Sequence, residues 1–328
     1  MSSILVRQKP KIVGILNPGV DVFRHSLREP GNDAGTKSKW NDQDDAVFYG
    51  AITKYCRGQE TKEKVCIGGG SVAILGAIAR AKVDGKTAYS VHAHSAIGGS
   101  GDAVSDAFYQ QAQRLPFRTH IQRRLGHVVG GCVIDLLPNG DSASRGSDRD
   151  PIDAYFDGSI GEGANVVVAS GKLSTLRLLH KMPEGAKLTY TPSSSDCANE
   201  PQKVREHLSA RELFLLTLNN KEASGFMGGD TIAKMASRAT RYAENVLITA
   251  GGDGMYLAQR GGEVTFCRAA PAVGEVVDTT GAGECAHGVV VHGLLQGWLP
   301  EDILDSATRA CAETVQHIGA LGPWQPSL

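Results

Sequence analysis

No stretch of the 328 residues holds eighteen consecutive apolar side chains, so nothing in the sequence reads as a membrane span. Residues 1–10 are too polar, and too poor in apolar side chains, for a signal peptide. Net charge is nearly absent: 34 Lys+Arg stand against 35 Asp+Glu, a formal −1 at pH 7. That balance leaves no footprint for nucleic acid or for an acidic membrane surface. Seven cysteines is an odd count and no two are spaced C-x-x-C, which argues against a disulfide framework or a zinc site. No internal repeat is visible. The chain reads as a cytoplasmic protein with reduced thiols.

Glycine is in excess. There are 40 among 328 residues, well above the usual share of roughly 7%. Many cluster beside apolar runs, where a backbone must turn tightly or approach a ligand closely.

Residues 11–16 (KIVGIL) predict a strand that runs into the turn Asn17-Pro18-Gly19. Residues 29–45 are polar, with Pro, Gly, Asn and Asp throughout, the composition of a loop. Order resumes at 65–70, and the spacing of Val72, Leu75, Ile78 and Ala79 predicts a helix after it. A helix over 102–115 follows, then a strand over 127–137 and a turn at 138–141. From 165 the pattern alternates, with strands at 165–170, 187–191, 213–218 and 245–250 and helices at 172–182, 200–210 and 230–243. Continuous apolar strands between helices mean a parallel sheet covered on both faces. A hairpin over 254–268 and helices over 284–299 and 300–320 complete one doubly wound α/β domain spanning 1–328.

Ligands of such sheets bind beyond the carboxyl ends of the strands. Three motifs fall there: Asn219-x-x-Glu222, Thr249-x-Gly251-x-x-Gly254, and Thr279-Thr280-Gly281-Ala282-Gly283-Glu284. The last opens a helix, where unpartnered backbone N–H groups and the helix dipole hold phosphate oxygens. Glu284 beside that nest is placed to take a proton from an attacking hydroxyl, or is an ordinary first-turn acid. Asn219 and Glu222 have the spacing of a capping box, and equally of a carboxylate near metal-bound water. Gly68-Gly69-Gly70 before a helix is a second candidate anion or hydroxyl site. Asp21 either binds substrate hydroxyls or closes an Asx turn. Gly99-Ser-Gly101 lacks the third glycine and the distant acid of a dinucleotide fingerprint, which sets a dehydrogenase aside.

In this order, the pieces resemble the ribokinase or PfkB-type carbohydrate kinases. Residues 278–284 (DTTGAGE) are similar to that family's DTxGAGD signature, Asn219-x-x-Glu222 to its NxxE motif and Thr249-x-Gly251 to its nucleotide loop. The glycines before residues 71–82, with Gly69 and Gly70, resemble its N-terminal signature. The resemblance implies a ribokinase-like fold with a small β lid, expected from about 19–60 and 117–126. It implies ATP-dependent phosphorylation of a hydroxymethyl group on a small sugar, polyol or nucleoside. Glu284 would be the base, and the amides of Gly281, Ala282 and Gly283 would receive the transferring phosphoryl. Asn219, Glu222, Thr249, Gly251, Gly254 and Thr280 would border the nucleotide, and Asp21, Gly69 and Gly70 the acceptor. Glu222 would hold Mg²⁺ through water, and Asp278 would lie near a K⁺ site of the kind some members use. The resemblance also implies a monomer or a lid-to-lid homodimer. Two departures stand out. Glutamate replaces the family's catalytic aspartate at 284, and Ala73 or Ile74 stands where an asparagine contacts the sugar. Both fit an alternative, a related protein that binds nucleotide or metabolite in a regulatory role.

Overall fold

The computed structural model describes residues 9–25, 37–38, 42–60, 62–127, 129–137, 142–146 and 156–321. The chain runs β1 (Lys11–Ile15), β2 (Gly19–His25), β3 (Lys37–Ser38), α1 (Asp42–Cys56), β4 (Lys64–Gly68), α2 (Gly70–Arg80), β5 (Lys82–Val83), β6 (Lys86–Thr87), β7 (Ser90–Ile97), α3 (Ala103–Ala112), β8 (Arg118–Arg123), β9 (Gly130–Leu136) and β10 (Ser142–Gly146). It continues through β11 (Val166–Gly171), α4 (Leu173–His180), β12 (Lys187–Pro192), α5 (Ser194–Asn199), α6 (Pro201–Ala210), β13 (Leu213–Asn219), α7 (Asn220–Met227), α8 (Ile232–Ala239), β14 (Ala243–Thr249), β15 (Met255–Gln259), β16 (Val264–Cys267), α9 (Ala282–Gln296) and α10 (Pro300–Thr314).

Nine strands form one sheet in the order β16-β15-β14-β13-β12-β11-β1-β7-β8. Seven of them, β8 to β14 in that row, pair in parallel, and β15 and β16 close one edge as an antiparallel hairpin. Both faces are buried, and β11 shows why: Val166 and Val168 enter one apolar cluster, Val167 and Ala169 the other. The first cluster lies with α2 and α9, the second with α4, α6, α7 and α8. A ribokinase-like doubly wound sheet results, with a small separate sheet, β3-β10-β9-β2-β4, beside it. That small sheet fits a lid, and β2 enters it only three residues after β1 leaves the large one.

Some elements differ from the sequence expectation. Residues 42–45 begin α1 instead of ending a loop, because Asp42, Asp44 and Asp45 occupy a helix first turn, where acids favour the dipole. Phe48 of α1 packs on Gly131 of β9, so this helix backs the small sheet. The segment expected to add to the lid at 117–126 lies elsewhere: β8 pairs in parallel with β7 as the outer strand of the large sheet. Its arginines suit an exposed edge, which charge protects from further pairing. The second contribution to the small sheet comes from β9 and β10. Ala243 belongs to β14, not to the helix before it, since it pairs with Leu213. Helix α10 stops at Thr314, because the Val315 carbonyl accepts from Val277 and Asp278 N–H at 2.8 and 3.1 Å. The turn expected at 138–141, and the loop residues 29–36 and 39–41, lie outside the described residues.

Candidate active site

β1 has β7 on one side and β11 on the other, so the strand order reverses there and a crevice opens beyond the carboxyl ends. Asn17 closes its floor. Its side-chain amide donates to the Ser170 carbonyl at 2.6 Å and to Thr175 Oγ1 at 2.8 Å, tying the exits of β1 and β11 together. Tyr190, fully buried, donates its hydroxyl to the Gly171 carbonyl at 2.6 Å, and burial holds that phenol well above its ordinary pKa. Asp21 on β2 overhangs the glycine run, and a methyl at Gly68 would stand 2.5 Å from its Oδ1. Gly69 has φ 101° and ends 2.7 Å short of the Asn17 carbonyl, measured to where a Cβ would be. Only glycine fits that step.

Gly70 begins α2, and Glu284 stands in the first turn of α9. The two helix N-termini meet: a methyl at Gly70 would lie 3.1 Å from Glu284 Oε1, 3.2 Å from its Cγ and 2.8 Å from Ser170 Oγ. The Glu284 side chain is half-buried and reaches from its own helix to the start of the other. The nest below it opens on Gly281, in the left-handed region at φ 83°, with Ala320 Cα 2.6 Å from the position a Cβ would take. Ala282 N–H makes a long 3.4 Å bond to the Thr279 carbonyl, which a better acceptor would displace.

The nucleotide-loop candidates lie on the same edge. Asn219 and Thr249 are paired at the ends of β13 and β14, and a Cβ on Gly283 would sit 3.7 Å from Thr249 Oγ1. Gly251 and Gly252 have nothing within 4 Å of where side chains would start, so the backbone there is open. Gly254 is different: its free side is covered by the Cys267 carbonyl of β16, which gives it a packing reason to be glycine. Glu222 completes the capping box, accepting from Asn219 N–H at 2.8 Å while Asn219 Oδ1 accepts from Glu222 N–H at 2.8 Å. Its other oxygen accepts from Ser194 Oγ at 2.6 Å, and the residue is buried. Asp278 is fully buried, accepting from Thr280 N–H at 2.9 Å and Gly319 N–H at 2.8 Å. Among the described residues, no group of three or more His, Cys, Asp or Glu is arranged to hold a metal ion.

A family model for the pfkB carbohydrate kinases matches residues 139–327, more than half the chain and all of the motifs from Asn219 onward. The chain belongs to the PfkB family. No curated protein matches its sequence. Solved structures share its fold at low identity. Adenosine kinase from Sinorhizobium meliloti has TM-score 0.76 at 15% identity, covering 95% of this chain and 96% of that one. Ribokinase from Arabidopsis thaliana, solved with ribose and ATP, has TM-score 0.68 at 17% identity, covering 96% and 95%. A nucleoside kinase from Burkholderia thailandensis with inosine has TM-score 0.68 at 14%, covering 94% and 93%.

Several residues of this PfkB crevice carried no motif. Ser170 and Ser71 are buried hydroxyls and Ser194 an exposed one, all placed by the fold, with Ser71 Oγ and Ser170 Oγ 3.0 Å apart. Asp196 caps α4 through Leu173 N–H at 2.8 Å, which fixes the helix after the β11 exit. A serine run at 193–195 just past a strand end was the only signal for this group. His287, one turn along α9 from Glu284, bridges Thr189 and Thr191 of β12 at 2.9 and 3.0 Å. Full burial pushes its pKa down to about 3, so the imidazole is neutral there. Ala73 and Ile74, at the family's asparagine position, are both buried apolar residues of α2 and offer the crevice no polar group.

Proposed function

We propose that this PfkB chain is an ATP-dependent kinase that phosphorylates a hydroxymethyl group of a small sugar, polyol or nucleoside. The observation that carries the reading is the meeting of Glu284 with Gly70, which sets a carboxylate between the glycine run and the α9 nest. An acceptor hydroxyl lying on Gly69 and Gly70 would have Glu284 within reach as general base, and Asp21 beside it for a further hydroxyl. The N–H groups at 281–283 would take up charge on the transferring phosphoryl, in a place already organised to receive it. Thr249, Gly251 and Thr280 would border the nucleotide on the open side of that nest.

Magnesium would neutralise phosphate charge when bound. With no group of three His, Cys, Asp or Glu arranged around an ion among the described residues, the ion suits nucleotide oxygens and water, and Glu222 would reach it through water. The Glu222 carboxylate accepts from the Asn219 N–H on one oxygen and from Ser194 on the other. Asp278 accepts one N–H on each oxygen, holding the turn before the nest to the segment after α10, and K⁺ is a variable of the assay.

The test is ADP release from MgATP against pentoses, hexoses, polyols and nucleosides, with and without K⁺. Wild type turns over with at least one acceptor, and Glu284→Gln loses at least about 10²-fold in kcat, the lower range for a general base. The same substitution changes the unfolding midpoint little, because a half-exposed first-turn acid contributes about 0.3–1 kcal/mol. Turnover unaffected by Glu284→Gln would remove the base assignment. The glutamate itself and the apolar Ala73 and Ile74 favour a second reading, a metabolite-binding regulatory protein. ADP binding without turnover in wild type, together with turnover in Glu284→Asp, would select it.

A further inference from the structure

Gly70 has no evident backbone reason to be glycine. Its φ is not in the left-handed region, and it occupies the first residue of a helix, where alanine is the better helix former. What excludes a side chain is space on two sides. Ser170 Oγ lies 2.8 Å from the position of a Cβ, while Glu284 Cγ and Oε1 lie at 3.2 and 3.1 Å. Ser170 is buried and within bonding distance of the buried Ser71, so it does not swing away freely. Glu284 is half-buried and carries the extra methylene that separates glutamate from aspartate. Its carboxylate comes to rest at the N-terminus of α2, where the dipole favours an anion.

We propose that Gly70 is the positioning residue for Glu284: the absent side chain on α2 leaves the room that lets the longer carboxylate stand where a general base is needed. The inference rests on the phosphotransfer reading of Glu284. A glutamate in the first turn of α9 reaches further than an aspartate, and the surface of Gly70 receives its Cγ and Oε1. A methyl there would push the carboxylate off the crevice without touching the nucleotide side, where Thr249 and Gly283 lie together. The pair then acts as a length gauge. Glutamate is crowded by a methyl at 70 through both Cγ and Oε1, whereas aspartate keeps the Cγ contact and loses the one made by Oε1, so alanine crowds it less.

A double-mutant cycle tests this with Gly70→Ala, Glu284→Asp and the combination, read by urea unfolding and by kinetics. The contacts with Ser170 and with Cγ of residue 284 are common to both backgrounds and cancel, so the cycle reads the Oε1 contact; a parallel cycle with Ser170→Ala throughout covers the case in which Gly70→Ala alone is too unstable to purify. The expected unfolding result is that Gly70→Ala lowers the midpoint more in wild type than in the Glu284→Asp background. The expected kinetic result is a fall in kcat of about 10²-fold for Gly70→Ala, with the KM for ATP unchanged and part of the loss recovered in the combined variant. Additive unfolding effects in both cycles, or a combined variant no more active than Gly70→Ala, would overturn the pairing. The unfolding cycle needs no turnover, so it decides the pairing even where Glu284→Gln has removed the base assignment.

Discussion

His287 shows how a single buried group connects fold stability to pH. Between pH 6.5, its ordinary value, and about 3, its value in the folded chain, the unfolded state binds a proton that the folded state refuses. Stability therefore rises with pH through that window and falls as the solution is acidified, with a slope approaching about 1.4 kcal/mol per pH unit for one proton. His94 on β7, pushed down to about 4 chiefly by burial, adds to the same limb. In His287→Gln the acid limb measured by urea titration from pH 7 to 4 should be shallower than in wild type. His287→Ala should cost about 2–4 kcal/mol at pH 7, since it opens a cavity and leaves the buried Thr189 hydroxyl without its partner.

The decisive elements are α2 and α9, whose N-termini bring the glycine run and the Glu284 carboxylate together. They approach closely because Gly288 of α9 faces α2: a methyl there would meet Ala77 Cβ at 2.6 Å and the Ile74 carbonyl at 2.7 Å. The carbonyl belongs to helix backbone and has no rotamer to change. Gly288→Ala should therefore force the helices apart and destabilise by about 1–3 kcal/mol, measured by urea unfolding. Turnover should fall with it, because the same displacement carries Glu284 away from Gly70. The same substitution at Gly262, in the open hairpin turn with nothing nearer than 3.5 Å, serves as the control and should leave both nearly unchanged.

The whole molecule contributes by placing two sheets around one crevice. Asp21 comes from the small sheet, whereas Thr249, Gly283 and Glu284 belong to the large-sheet layer. A ligand that binds only the folded state raises stability by mass action, by about 2.7 kcal/mol at a free concentration 100 times Kd. ADP should raise the thermal midpoint, and ADP with an acceptor that contacts both sheets should raise it further than either alone. No shift with ADP across millimolar concentrations would count against a nucleotide site on this edge.

Periodicity and composition were enough to read the alternating elements after residue 165. Those strands are buried on both faces and appear as unbroken apolar runs, and the glycine motifs are local consequences of turns at their ends. The cap at Asn219 and Glu222 was legible for the same reason, since its partners lie three residues apart. What needed tertiary structure is whatever depends on distant neighbours. β8 is polar on an exposed edge, so its own residues do not say which sheet it joins; its pairing with β7 does. Helix α1 is masked in sequence by its acidic first turn, and its place is set by Phe48 packing on Gly131, 83 positions away along the chain. Gly70 and Glu284 are 214 positions apart, and nothing local to either shows that one makes room for the other. The sequence determined which groups can do chemistry, because that is a property of each side chain. The fold decided which of them meet, because meeting depends on how helices and strands with no local knowledge of one another pack their surfaces together.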